Sequence, residues 1–207
     1  MVAITGLGLS AFVLMHMAGN MLILFSAEKY NLYGHAIVQN ALLYPAEVIL
    51  LALFVVHMGL AIQLALENKQ ARPISPGAMP MASEKTASFA SRSMILTGLL
   101  TSVFVVIHLI TFKWGTYYEV TYHGITVRDL HRLVLEKFRE PLYTAWYLLA
   151  LTVLGVHLSH GFSATFQSLG LASIKNRRLK RLGWTFAILV TAGFISQPLY
   201  AILCGGS

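Results

Sequence analysis

The sequence predicts an all-α membrane protein with five transmembrane helices, the first four forming one bundle. Three observations carry this. The 207-residue chain is 57% hydrophobic and only 11% charged, whereas a soluble domain carries about 25% charged residues. Five stretches reach the roughly 20 apolar residues that a membrane-spanning helix needs. The first four spans each hold an interior histidine, at His16, His57, His108 and His157. Hydrocarbon tolerates an imidazole only where protein groups take up its nitrogens.

In chain order, the first span runs from about residue 2 to 25. Its start, MVAITGLGLSAF, has no basic leading segment and no clear cleavage site, so it reads as a helix rather than a removable signal. A loop, SAEKYNLYGHAIVQN, leads to the second span at about 42–66. Next comes ENKQARPISPGAMPMASEKTASFASR, where Pro73, Pro76 and Pro80 forbid a continuous helix. The third and fourth spans occupy about 93–112 and 142–168. Between them, Thr126 and Asp129 resemble a capping signal, and Leu130, Val134, Leu135 and Phe138 favour one side. This segment reads as a short helix lying on the membrane surface. A basic turn, ASIKNRRLKR, precedes the fifth span at about 183–203. That span has no histidine, so it is expected to pack outside the bundle, with a kink at Pro198. No internal repeat or low-complexity segment is evident, and residues 1–207 form a single domain.

The net charge of +7 does not point to nucleic acid, because every lysine and arginine lies in a loop or at a span end. One side carries Lys69, Arg72, Lys85, Arg92, Lys175, Arg177, Arg178, Lys180 and Arg181. The other carries Lys29, Lys113, Arg128, Arg132, Lys137 and Arg139. The excess on the first side places the N-terminus in the cytoplasm and the C-terminus outside. The single cysteine, Cys204, excludes a disulfide framework, iron–sulfur ligation within this chain and the C-x-x-C-H attachment of c-type haem.

With that orientation the histidines sort by depth. His57 and His157 lie about ten residues before the inner ends of their spans, roughly 15 Å from the cytoplasmic end at about 1.5 Å per residue. His16 and His108 lie in the outer halves, on the order of 10 Å away by the same rise. One interior histidine per span, paired at two depths, is what two bis-histidine b haems in a four-helix bundle require. Gly19, Gly59, Gly155 and Gly161 stand near the histidines in sequence and would admit a porphyrin edge. Thr97, Thr101, Phe104 and His108 form one stripe turned into the bundle.

These residues resemble a family. HLSHGFSATFQSLGL, SFASRSM, GLGLSAFVLMHMAGNMLILF and ENKQARP are similar to the single-chain dihaem cytochrome b anchor of succinate dehydrogenase and fumarate reductase, over essentially the whole chain. The resemblance implies five helices holding two haems. His57 and His157 would bind the inner haem and His16 and His108 the outer one, the pairing that depth suggests. It implies a flavoprotein subunit and an iron–sulfur subunit docked on the cytoplasmic face. Electrons would pass to menaquinone or another quinone toward the outer haem, in the inner (cytoplasmic) membrane of a bacterium. Succinate itself follows from the resemblance alone.

Further residues are candidates in that setting. Glu47, at the outer start of the second span, is placed to carry protons at a quinone site, although glutamate also suits a helix N-terminus. Glu28 is a second such carboxylate. His160, one turn inward of His157, and Arg92, at the cytoplasmic entry of the third span, are candidate propionate or quinone contacts. His35, His123 and His131 lie in outer loops and are expected to be solvated. Two other functions fit the same spans. One is a cytochrome b subunit of a quinone-linked hydrogenase or formate dehydrogenase; the other is a haem-free anchor with hydrogen-bonded histidines.

Overall fold

The computed structural model describes residues 1–70, 82–171 and 177–204, and the side chains of all of these except 82–92 and 204. Pro73, Pro76 and Pro80 lie outside the described residues, as does the side chain of Arg92. Five helices are long and apolar enough to cross a membrane. They are α1 (Val2–Asn20, continued by a 3₁₀ turn Met21–Leu24), α3 (Leu43–Gln70), α4 (Ala82–His108, continued by a wider turn Leu109–Lys113), α6 (Pro141–Ser168) and α7 (Arg177–Cys204). The shorter elements are α2 (Ala27–Gln39), a hairpin of β1 (Glu119–Tyr122) and β2 (Ile125–Arg128), and α5 (Leu130–Phe138).

Helices α1, α3, α4 and α6 form a closed ring in which α1 packs on α3 and α6, and α4 packs on α6 and α3. Helix α7 lies outside the ring, mainly against α6 and also against α1. Pro198 is buried inside α7, which runs on to Cys204. The core lies where α6 meets α4 and α7, at Phe104, Tyr147, Ala150, Leu151, Leu154, Leu158, Ala187 and Val190. Helix α3 differs: it has no buried residue at all. Its half-buried positions Leu50, Phe54, His57 and Ala61 recur at helical spacing.

Three segments between the spans depart from the sequence reading. The expected loop after the first span is the helix α2. Ser26 caps it by accepting the Lys29 amide at 3.3 Å, and Glu28 occupies the first turn, where a carboxylate opposes the helix dipole favourably. A hairpin precedes α5. His123 and Gly124 both have positive φ, 51° and 80°, the requirement of a two-residue type I′ turn. Helix α5 then starts three residues later than expected, with Asp129 rather than Thr126 as its cap; Asp129 accepts the Arg132 amide at 3.0 Å while Thr126 sits in β2. Leu133, Val134 and Phe138 of α5 are buried against protein, with α7, α2 and α6 as neighbours. Its apolar face therefore docks on the bundle instead of requiring lipid.

Asn31 joins these pieces. It is 1% exposed, donates to Asp129 Oδ1 at 2.9 Å and to the Tyr122 hydroxyl at 3.3 Å, and accepts the His131 amide at 2.9 Å. One side chain thus links α2, the hairpin and the start of α5. His131 is not solvated as expected: it is half-buried, with its ring 6.5 Å from that of Tyr200 on α7. Burial holds its pKa below the ordinary value, against the pull of Asp129. Asn31→Ala removes all three bonds to half-buried partners, at a cost of about 2 kcal/mol. It should lower the thermal midpoint in detergent and open the His123–Gly124 turn to limited proteolysis, whereas His35→Ala should do neither.

Candidate functional site

The four span histidines do not point to lipid at random; each has a specific protein neighbour. In the inner tier, His57 of α3 meets Thr5 of α1, with Nδ1 3.1 Å from the hydroxyl. His157 of α6 meets Thr97 of α4 in the same way, also at 3.1 Å. Each threonine hydroxyl is already a donor within its own helix. Thr5 donates to the Val2 carbonyl at 3.0 Å, and Thr97 to the Ser93 carbonyl at 2.7 Å. A hydroxyl has one proton, so a threonine that gives it to its own helix meets the imidazole as an acceptor.

In the outer tier, the rings of His16 on α1 and His108 on α4 lie 5.8 Å apart, centre to centre, and are perpendicular. His108 Nδ1 is 2.8 Å from the hydroxyl of buried Tyr147 on α6. His16 is bordered by Asn20, whose amide donates to the His16 carbonyl at 2.8 Å and whose oxygen accepts the Tyr30 hydroxyl at 2.9 Å. Burial pushes the pKa of the Tyr30 phenol well up, against the opposing effect of Arg128. Phe12, Phe104, Phe112 and Phe194 enclose the two imidazoles, with ring centres 5.4–5.9 Å from the nearer histidine.

The contacts expose a repeat that the span-by-span reading missed. ITGLGLSAFVLMH (residues 4–16) matches LTGLLTSVFVVIH (96–108) at seven of thirteen positions, and the matched residues do the same things. Ser10 donates to the Gly6 carbonyl at 2.8 Å, and Ser102 to the Gly98 carbonyl at 2.9 Å. A Cβ on Gly6 would lie 3.1 Å from His57 Cε1, and one on Gly98 3.3 Å from His157 Cε1. Phe12 and Phe104 each flank the histidine that follows them by one turn. The contacts of α1 with α3 thus repeat those of α4 with α6. In this correspondence His57 answers to His157 and His16 to His108. Within each repeat, threonine and histidine are eleven residues apart, three turns on the same face and about 16 Å along the helix.

Other expectations turn out differently. The glycines at the imidazoles are Gly6 and Gly98, not the four singled out by sequence. A Cβ at Gly19 would collide with Tyr33 of α2 (2.4 Å) and one at Gly155 with Thr191 of α7 (2.4 Å), Gly161 faces Met94, and Gly59 faces open space. At least Gly19 and Gly155 therefore serve helix packing. His160 is exposed; its Nδ1 lies 3.1 Å from the Val156 carbonyl and its ring 6.2 Å from that of Trp184 on α7. Glu47 forms an ion pair with Lys113, tying the outer start of α3 to the end of α4. It also borders a groove of about 320 Å³ between α1 and α3, lined by Gly8, Phe12, Ile49 and Leu53. Glu28 pairs with exposed His123 at 2.8 Å.

Comparison of the chain with protein-family models, with curated proteins and with solved structures gave no match. Gly6→Val and Gly98→Val should each displace an imidazole and cost roughly 1–3 kcal/mol by overpacking. Gly59→Val, which meets nothing, should leave the thermal midpoint in detergent nearly unchanged.

Proposed function

We propose that the chain is the membrane-anchoring dihaem cytochrome b subunit of a succinate:quinone (fumarate) oxidoreductase. In this reading it passes electrons between an iron–sulfur subunit and membrane quinone. The observation that carries the haem assignment is the set of four imidazoles, one per helix of the ring, with His57 and His157 held by matched contacts and His16 beside His108. The residues present fit the group. Two imidazoles on one iron, at metal–nitrogen distances of about 2 Å, put their ring centres about 6 Å apart, and those of His16 and His108 are 5.8 Å apart. In the inner tier, each ring has Nδ1 on a threonine, and a neutral imidazole bonded at one nitrogen can ligate a metal through the other.

A bound b haem supplies one-electron exchange at its iron. This chain supplies the rest: neutral ligands at two depths, a casing of phenylalanine that keeps water from the outer tier, and a fixed ladder between the two ends of the bundle. The cap of α2, the hairpin and α5 lies at the outer end, where the proposed quinone site belongs. Glu47, beside the groove at that end, is the group we assign to proton exchange with the quinone. The flavoprotein and iron–sulfur partners, the cytoplasmic side of docking and the dicarboxylate chemistry rest on the family resemblance of the HLSHGFSATFQSLGL segment and its companions. Arg92 and His160 remain proposed contacts to an inner-haem propionate or a quinone, and His160 is exposed.

The competing haem-free anchor draws on the same threonine–histidine bonds, which satisfy one nitrogen of each inner ring. The purified membrane protein should show a b-type reduced-minus-oxidised spectrum with two haems per chain. His57→Ala and His108→Ala should each remove one haem and leave the other spectrum intact; loss of neither would end the assignment. Co-purification of a flavoprotein and an iron–sulfur protein tests the succinate reading separately from the haem reading. Glu47→Gln should slow quinone turnover several-fold with both haems retained.

A further inference from the structure

The repeat in α1 and α4 places two side chains, Thr5 and Thr97, where no ligand role is needed and yet both copies preserve the same contact. We propose that Thr5 and Thr97 are paired positioning residues for the inner haem: each holds the Nδ1 proton of the opposite histidine and so presents Nε2 to the iron. This deepens the haem assignment and rests on it.

The argument is geometric. Each threonine hydroxyl donates back to a carbonyl in its own helix, at 3.0 Å from Thr5 to Val2 and at 2.7 Å from Thr97 to Ser93. With its proton so placed, the oxygen stands as the acceptor at the 3.1 Å contact with Nδ1. The following glycine, Gly6 or Gly98, leaves the gap into which the imidazole Cε1 fits. Threonine, glycine and the serine four residues on thus make one socket, used twice. A ring proton held on an acceptor fixes the tautomer and raises the basicity of the other nitrogen. A more basic ligand favours ferric over ferrous iron, so the two sockets set the inner haem toward a lower potential. The outer tier has no such socket. His108 Nδ1 meets a phenol, Tyr147, and His16 lies beside the Asn20 amide. The two haems are therefore held by different chemistry on a repeated frame.

The test uses the intact membrane protein with both haems. Thr5→Val and Thr97→Val keep the shape of the side chain and remove the oxygen. Each should speed transfer of the inner haem to apomyoglobin by roughly ten- to a hundred-fold, the usual effect of losing such a partner. Each should also raise the inner-haem midpoint in a redox titration. The outer haem should not move in either measurement, and Thr5→Ser and Thr97→Ser should restore wild-type behaviour. Tyr147→Phe should shift the outer haem only. Unchanged retention and potential of the inner haem in both valine variants would overturn the proposal, as would equal effects on both haems. A second readout needs no haem. In haem-depleted protein, ¹⁵N shifts should show His57 and His157 protonated at Nδ1, and protonation at Nε2 would also overturn it. Absence of haem from the wild-type protein would instead defeat the parent assignment, and is seen before any variant is made.

Discussion

An imidazole within a membrane span must have both nitrogens answered, and the bundle is arranged around that requirement. A polar group left unpaired in hydrocarbon costs several kcal/mol, comparable with the net stability of a domain. Thr5 and Thr97 answer it on one side of the inner rings, and Tyr147 does so for His108. These bonds cross between helices, so they also set which helix faces which: α1 to α3, and α4 to α6. Glycines at positions 6 and 98 follow from the same demand, because a side chain there would push the ring off its threonine.

The two ends of the ring are built differently. One end is closed by α2, the hairpin and α5, tied through buried Asn31 and braced by the Glu47–Lys113 pair between α3 and α4. Arg128, at the end of β2, donates to the carbonyls of Lys113, Gly115 and Thr116 and so anchors the hairpin to the wide turn that ends the third span. Helix α7 seals the side of the ring at α6 and α1, its small residues meeting large ones: a Cβ at Gly193 would strike Met17 of α1. Helix α3 has no comparable cover. The frame is thus firm along α6 and open along α3, where the inner stripe carrying His57 runs.

Much of the candidate site was legible in residue order. Four histidines, one per span, needed only hydropathy to place them and helical rise to sort them by depth, and the rings of His16 and His108 do meet. The glycine argument failed because nearness in sequence to a histidine says little about the far side of a helix. Gly19 and Gly155 lie close to histidines and yet face α2 and α7. The thirteen-residue repeat was present in the string throughout, but seven matches among common apolar residues carry little weight until the matched side chains are seen making matched contacts. The helix at Ala27–Gln39 had its Ser26 cap in plain view, and the hairpin had its His123–Gly124 turn. Both were obscured because a polar stretch between two spans reads most simply as loop.

By itself, the sequence determined the five spans, the interior position of four imidazoles and their division into two levels, since apolar length and a rise of about 1.5 Å per residue follow from local chemistry. Tertiary structure alone decided which partners those rings meet. A threonine eleven residues ahead of one histidine bonds a different histidine, more than fifty residues away, and no local pattern encodes that. Such a contact exists only once two helices have packed at a particular rotation and depth, which depends on shape and hydrogen bonding summed over the whole bundle.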